Sequence, residues 1–400
     1  MNKKNKLILG GDWAPQKRKV ANLPIKNTLI FNLEGPILSD GMYLKKPIKK
    51  AGPTIFNTSL PELSGHSVAI LANNHFFDYG YTGYISSINK IEKSDCLAVG
   101  AGKTKFFSSM PIIINLNEKK IGILARCERQ FGAAQELIPG VAIFDSTIYE
   151  KIKNLKEQVD IVIVSMHAAA EMLPWPSPAR QDTFRSLIDA GADIIHGHHS
   201  HVPQGWEEYN GGLIFYGLGN FCVDPAVWSW HPNGLWSLTP EIILENAKVT
   251  FNPKTMVIED HGKHILVKDA DNTQKSVHQS YLAICNQPLT DRLLLEGIWQ
   301  EAAVIMYNAF YAEWLGFNGL KPNHAYHLVK KYFKNLKSKF RKHKKVNSDD
   351  ENKKLLNYHL FSCDAHNDAI ATALGVLSGE LDDCRTKETK KLVDKWMINN

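Results

Sequence analysis

Residues 192–201 read ADIIHGHHSH, and four of the last six positions (His196, His198, His199 and His201) are histidine. The apolar pair Ile194 and Ile195 reads as a short buried strand, and Gly197 frees the backbone to turn. His199 and His201 follow on that turn, one residue apart. Imidazole is the commonest nitrogen ligand for zinc, copper, iron and nickel, so the window reads as a metal-binding loop at the carboxyl end of a strand. A solvated polar loop is the competing reading.

Other strands of the same kind surround it. Short apolar runs are expected as strands at 7–9, 28–33, 67–72, 96–99, 111–116, 121–125, 160–166, 193–195 and 213–216. The first is expected to end at Gly10-Gly11. Amphipathic helices are expected at 81–93, 148–158 and 178–190, the last stopped by Gly191. Near-continuous apolar strands alternating with helices predict an α/β layered fold with a largely buried sheet, whose ligands sit beyond the carboxyl strand ends. Asp12, Glu34, Asn74, His75, His167, His199 and His201 all stand just past predicted strand ends, so groups far apart in sequence are brought together.

Beyond Asn220 the texture changes. Period-two runs at 241–268 predict hairpins edging the sheet. Residues 279–335 read as helical, 330–345 as a lysine- and arginine-rich segment, 346–354 as a polar break, and 355–377 and 387–397 as a closing helical pair. The expected division is 1–275 for the α/β domain and 276–400 for a mostly helical C-terminal region.

Composition narrows the class. In 400 residues, 44% are hydrophobic and 22% charged, as in a globular protein with a large core. The net charge of +6 is modest and gives no nucleic-acid signal. The six cysteines form no CxxC, which fits reduced thiols in a cytoplasm rather than a disulfide framework. The apolar run after the N-terminal lysines stops at Leu9, short of a secretory core, and no run approaches a membrane span. A cytoplasmic location and no transmembrane anchor are therefore expected.

Asp12, Glu34, Asn74, His167, His199 and His201 supply three oxygen-type and three imidazole ligands. A mixed set suits manganese, zinc or iron(II) better than magnesium. Six protein ligands exceed the needs of one catalytic ion, so two divalent metal ions are expected, an arrangement that clamps attacking and leaving oxygens in phosphoryl displacement. His75, beside a ligand position, is a candidate catalytic proton donor.

The chain resembles the CapA-type capsule and poly-γ-glutamate biosynthesis proteins, related in fold to calcineurin-like metallophosphoesterases. The resemblance rests on GDW at 11–13, NLEGPI at 32–37, LANNHFFDYG at 71–80, GAG at 100–102, SMHAAAE at 165–171 and DAGADIIHGHHSHVPQGWEEYNGGLIFYGLGNF at 189–221. It implies a metallophosphoesterase-like four-layer αββα sandwich, with Asp12, Glu34, Asn74, His167, His199 and His201 on metal-binding positions. It also implies that Asn74 binds metal while His75 contacts the scissile group, and it puts Glu171, a second catalytic candidate, and Gln204 near the pocket. Three departures stand out. Ala14 occupies the place of the phosphoesterases' Asp-x-His histidine, Glu34 stands where an aspartate is usual, and the family's His-Trp-Gly is His167-Ala168-Ala169.

The expected function is a dinuclear hydrolase or transferase acting on a phosphoester or polymer precursor in capsule or polyglutamate-type biosynthesis. Two alternatives remain: a metal-assisted epimerase of a peptide or amino-acid residue, and a non-catalytic capsule-assembly partner with a structural metal. Expected partners are a small-molecule, peptide or anionic polymer substrate, and a partner protein docking on the C-terminal helices.

Overall fold

In the computed structural model, which describes residues 6–21, 23–39, 41–42, 54–62, 66–245, 248–312 and 349–397, the chain opens with β1 (Lys6–Ala14), β2 (Lys19–Val20), β3 (Thr28–Leu33) and β4 (Ser67–Ile70). Helix α1 (Gly80–Ile91), β5 (Cys96–Val99), β6 (Ala101–Gly102), α2 (Lys105–Ser108), β7 (Ile112–Leu116), β8 (Lys119–Cys127) and β9 (Gly140–Val141) follow. Then come α3 (Thr147–Lys156), β10 (Ile161–His167), α4 (Pro178–Asp189), β11 (Ile194–His198), β12 (Pro203–Tyr209), β13 (Gly212–Leu218) and β14 (Asn220–Val223). After α5 (Pro225–Trp228) run β15 (Trp236–Leu238), β16 (Glu241–Glu245), β17 (Lys248–Asn252), β18 (Thr255–His261) and β19 (His264–Asp269). The described C-terminal helices are α6 (Asn272–Asn286), α7 (Arg292–Met306), α8 (Asp349–Ser362), α9 (Asp364–Ser378) and α10 (Lys387–Met397), with a π-helical turn at Tyr307–Tyr311.

Two sheets carry the architecture. One runs β17-β16-β1-β3-β4-β5, with β14 also pairing β1; the other runs β12-β13-β11-β10-β8-β7. The central strands β1, β3, β4 and β5 are parallel, as are β8, β10, β11 and β13. Side chains alternate across β10 with period two. Ile161 and Ile163 enter the core between the sheets, while Val162, Val164 and Met166 pack with Ile148, Ile152, Phe184 and Leu187 of α3 and α4. The strand reads as continuously apolar because both faces are covered. Helix α1, the crossover between β4 and β5, buries Tyr84 and Ile91 on the first sheet. The result is the four-layer αββα sandwich that the resemblance implies.

Several sequence expectations are corrected. β1 does not stop at Gly10-Gly11 but continues through Asp12 to Ala14, because β14 pairs with its second half. That approach needs glycine: a Cβ on Gly11 would fall 1.9 Å from the Gly219 carbonyl oxygen. Asp12 and His167 therefore lie within strands rather than past them. Of the predicted hairpins, β16–β17 edges the first sheet, but β18–β19 joins a separate sheet with β15 and β2. The expected single helix at 355–377 is two helices broken at Cys363, and residues 349–354 of the expected polar break are helical. The basic segment 330–345 lies outside the described residues.

The C-terminal helices pack on the sandwich. Tyr281, Leu282 and Cys285 of α6 join the inter-sheet core, and the Tyr281 hydroxyl donates to the Pro203 carbonyl at 3.0 Å. Leu173 and Trp175, following β10, form a third apolar cluster with α7, α9 and α10. Among the described residues, no helix is long and apolar enough to cross a membrane, and all six cysteines are free thiols.

Gly11→Ala places a methyl group against the backbone of Gly219, the residue that leads into β14. We expect a loss of roughly 3 kcal/mol, the upper range for overpacking, read as a lower urea midpoint. A change below about 0.5 kcal/mol, the range of an unconstrained surface site, would show that the two strands do not meet this closely.

Candidate metal centre

Period two along β10 and β11 delivers the first histidines. Ile194 faces the first sheet, so His196 and His198 do too; Ile163 does likewise, which sends Ser165 and His167 the same way. His196 is a core histidine. Burial holds it neutral, and its Nε2 lies 2.9 Å from the Gly10 carbonyl oxygen, joining the two sheets. Past His198 the chain reverses through His199 and His201, whose φ values of 85° and 57° put two non-glycine residues in the left-handed region. The Met172 amide donates to the Ser200 carbonyl at 2.9 Å and holds this turn. Such strain concentrates where side chains must be aimed.

Around the turn, the predicted residues of both sheets converge. Asp12 Oδ2 lies 3.2 Å from His201 Nδ1, and Glu34 Oε1 lies 3.6 Å from His201 Nε2. Asn32 donates to Asp12 Oδ1 at 2.8 Å, approaches His167 Nδ1 at 3.3 Å, and accepts from Asn73 at 3.2 Å. His167 Nε2 is 3.1 Å from Asn74 Oδ1, and the rings of His167 and His199 lie 4.5 Å apart. Gln130 Nε2 donates to His199 Nε2 at 2.8 Å. Glu128 Oε1 is 3.4 Å, and Glu171 Oε1 4.0 Å, from the same nitrogen. His75 Nδ1 is held 2.7 Å from Asp78 Oδ2.

The charges are uneven. Burial holds His167 and His199 well below the usual imidazole range, so both present neutral rings. Burial also opposes charge on His201, but Glu34 and Asp12 outweigh it and carry this ring up to about 10. Burial pushes Asp12 upward, yet His198 and His201 hold its carboxyl well below the usual range. Burial raises Glu34 to about 8 despite His201, since neither of its oxygens receives a hydrogen bond.

Those oxygens belong to a larger set. Asp12 Oδ2, both Glu34 oxygens, both His198 nitrogens and His199 Nδ1 are buried without hydrogen-bond partners. A single unsatisfied buried polar group costs about 1–3 kcal/mol, and a charged one more. Six in one place form a set of lone pairs that a cation would complete. Ligand atoms of Asp12, Glu34 and His201 lie within 4.8 Å of one another, as do those of Glu171, His199 and His201. The donor set of carboxylate oxygen and neutral imidazole fits a divalent transition ion.

The structure thus brings together Asp12, Glu34, Asn74, His167, His199 and His201, with Glu171 half-exposed at the mouth. Gln204 is not among the converging groups; it donates to the carbonyls of Leu173 and Trp175 and so supports the loop carrying Glu171. Sequence reasoning missed His198, 3.5 Å from Asp12 Oδ1, although it stands in the histidine window. It also missed Asn32, Glu128, Gln130, and the Asn220 and Trp228 side chains against His201. The first of these lies inside NLEGPI, where a signal was present.

The family described as "Bacterial capsule synthesis protein PGA_cap" matches residues 13–225, which include every one of these positions except Asp12 and Trp228. The chain belongs to this family. Similar proteins include the capsule biosynthesis protein CapA of Bacillus anthracis, 32% identical over 208 residues, covering 48% of this chain and 49% of that one. The PGA biosynthesis protein CapA of Bacillus subtilis is 33% identical over 200 residues, covering 48% and 52%. The chain spans about half the length of these curated relatives. Among solved structures, a phosphatase from Mycoplasma pneumoniae aligns at 17% identity and TM-score 0.37, over 69% of this chain and 98% of that one. A putative 5'-nucleotidase from Staphylococcus aureus aligns at 11% and 0.39, over 69% and 58%.

Asn32→Ala removes the donor to Asp12 and His167 and the acceptor for Asn73. We expect about 1–3 kcal/mol of stability to be lost, measured by urea unfolding. An unchanged midpoint would mean that water replaces the amide and that this seam is wetter than its burial indicates.

Proposed function

We propose that this PGA_cap protein is a metal-dependent hydrolase or transferase acting on a phosphoester or acyl-phosphate-linked polymer precursor. The observation that carries the reading is the pair of buried carboxylates, Asp12 and Glu34: Asp12 Oδ2 and both Glu34 oxygens have no hydrogen-bond donor and face His201 from the opposite sheet. Asp12, Glu34, Asn74, His167, His199 and His201 would hold two divalent ions, which supply Lewis-acid polarisation of a phosphoryl or acyl oxygen and activation of water.

The chain's own groups do the rest. Neutral His167 and His199 keep their lone pairs available for ligation. Asn32 and Asn73 fix the rotamers of Asp12 and His167 across the seam. His75 is held through Nδ1 by Asp78, whose Oδ2 also accepts from the Ile55 amide at 2.8 Å, so the proton exchanged with a leaving group sits at Nε2. Glu171, half-exposed at the mouth, meets substrate as it enters. Family membership supports a capsule-type polymer precursor as the substrate class.

The inter-sheet centre is expected to hold about two transition-metal ions per chain, counted by mass spectrometry. His199→Ala/His201→Ala should lose most of this content; full retention would place the metal elsewhere.

Asn74 and His75 separate ligation from chemistry. His75→Ala should keep metal and fold but lose roughly 10²–10⁴-fold in turnover on a responsive phosphoester, the usual worth of general acid–base help. Asn74→Ala should lower metal content first, with activity falling as the site empties. Metal loss in His75→Ala, or undiminished turnover, would strike His75 from the catalytic groups.

A further inference from the structure

The C-terminal helices, beyond the family match, carry a second cluster of ligand-type side chains. His359 sits in the last turn of α8, Cys363 at the break between α8 and α9, and His366 in the first turn of α9. This H-x₃-C-x₂-H spacing wraps three soft or borderline donors around one helix junction. His359 Nε2 and His366 Nε2 are 3.1 Å apart, and the ligand atoms of all three residues lie within 4.8 Å of one another. In a tetrahedral zinc site, metal–nitrogen bonds of about 2.0–2.1 Å put two imidazole nitrogens about 3.3 Å apart. A thiolate at about 2.3 Å then lies about 3.6 Å from each nitrogen. The two imidazole nitrogens already stand near this spacing, with the Cys363 sulfur within 4.8 Å of both residues' ligand atoms.

Its members are also held in place. The Tyr311 hydroxyl lies 2.6 Å from His366 Nδ1, which turns Nε2 towards His359. A partner on the second ring nitrogen is the usual way a ligand histidine is oriented. Tyr311 ends the π-helical turn, a feature frequent at functional sites. Phe131 stacks on the His359 ring at 4.6 Å, and the Cys363 amide donates to the His359 carbonyl at 2.9 Å. Cys363 is buried, while the two histidines are half-exposed, leaving an ion a way in. Glu128 Oε1 lies 3.7 Å from Cys363 Sγ and 3.4 Å from His199 Nε2, so one carboxylate links this junction to the inter-sheet centre.

We propose that His359, Cys363 and His366 form a separate site for a borderline-soft divalent ion, zinc foremost, which staples α8 to α9 beside the mouth of the inter-sheet centre. Thiolate with two imidazoles is a zinc-type donor set, unlike the oxygen-rich set between the sheets. The fourth position falls to water or to Glu128.

Cobalt(II) reports the difference, since thiolate ligation adds a near-ultraviolet charge-transfer band that oxygen and nitrogen ligands do not. The reduced full chain loaded with cobalt should show this band. His199→Ala/His201→Ala should keep it, even though those substitutions empty the inter-sheet centre, and Cys363→Ser should abolish it. Absence of the band in the unmodified chain, or its survival in Cys363→Ser, overturns the proposal. Should Cys363→Ser fail to fold, zinc-edge X-ray absorption of the unmodified protein decides: a sulfur neighbour at about 2.3 Å is expected, and a shell of nitrogen and oxygen alone overturns the site. An unmodified chain that shows the cobalt band but holds no metal lost in His199→Ala/His201→Ala would refute the proposed function and leave this site standing.

Discussion

Two carboxylates, Asp12 and Glu34, are buried where two sheets meet, and the surrounding structure answers to the cost of keeping them there. Water does not reach them, so their charge must be balanced by the protein or by a cation. His201 is the nearest balance, and it can reach both carboxylates only from a left-handed turn. That turn is in turn fixed by the Met172 amide and by Asn220 on β14. The Gly219 carbonyl, which leads into β14, can come this close only because Gly11 has no side chain. A chain of short-range demands thus runs from one charge pair to a glycine, a strand pairing and two strained histidines.

Much of this was legible in the sequence. The apolar runs located the central strands because both faces of each sheet are covered, which removes the ambiguity of alternation. β3 and β5 fall on the expected bounds, and β10 within a residue at each end. The histidine window, Asp12, Glu34 and Asn74 were visible as polar groups placed where parallel strands deliver ligands. What stayed hidden depends on partners distant in sequence. Gly10-Gly11 reads locally as a stop, and pairing with β14, some 210 residues on, and with β3 carries the strand past it. His196 and His198 look alike in the window, yet one meets the Gly10 carbonyl and the other Asp12. The break at Cys363 has no glycine or proline to announce it, and the helices on either side appear as one apolar pattern.

The sandwich and the C-terminal helices meet at Glu128. This buried carboxylate receives Arg180 at 2.9 Å, Gln130 at 2.8 Å and the Ala365 amide at 3.2 Å. Burial still pushes it up to about 7, with Arg180 pulling the other way. A residue on β8's exit loop is therefore satisfied partly by α4 and partly by α9, from the region without a family match. The C-terminal helices do more than cover apolar surface. They supply a backbone donor to a carboxylate that stands beside His199, so the electrostatic setting of the inter-sheet centre depends on their docking. Arg292 reinforces the same contact through a bidentate pair with Asp182 of α4, at 2.6 and 2.8 Å. Removing the helices would leave Glu128 with Arg180 and Gln130 only and expose the Leu173–Trp175 segment that follows Glu171, altering both the charge and the shape of the entrance.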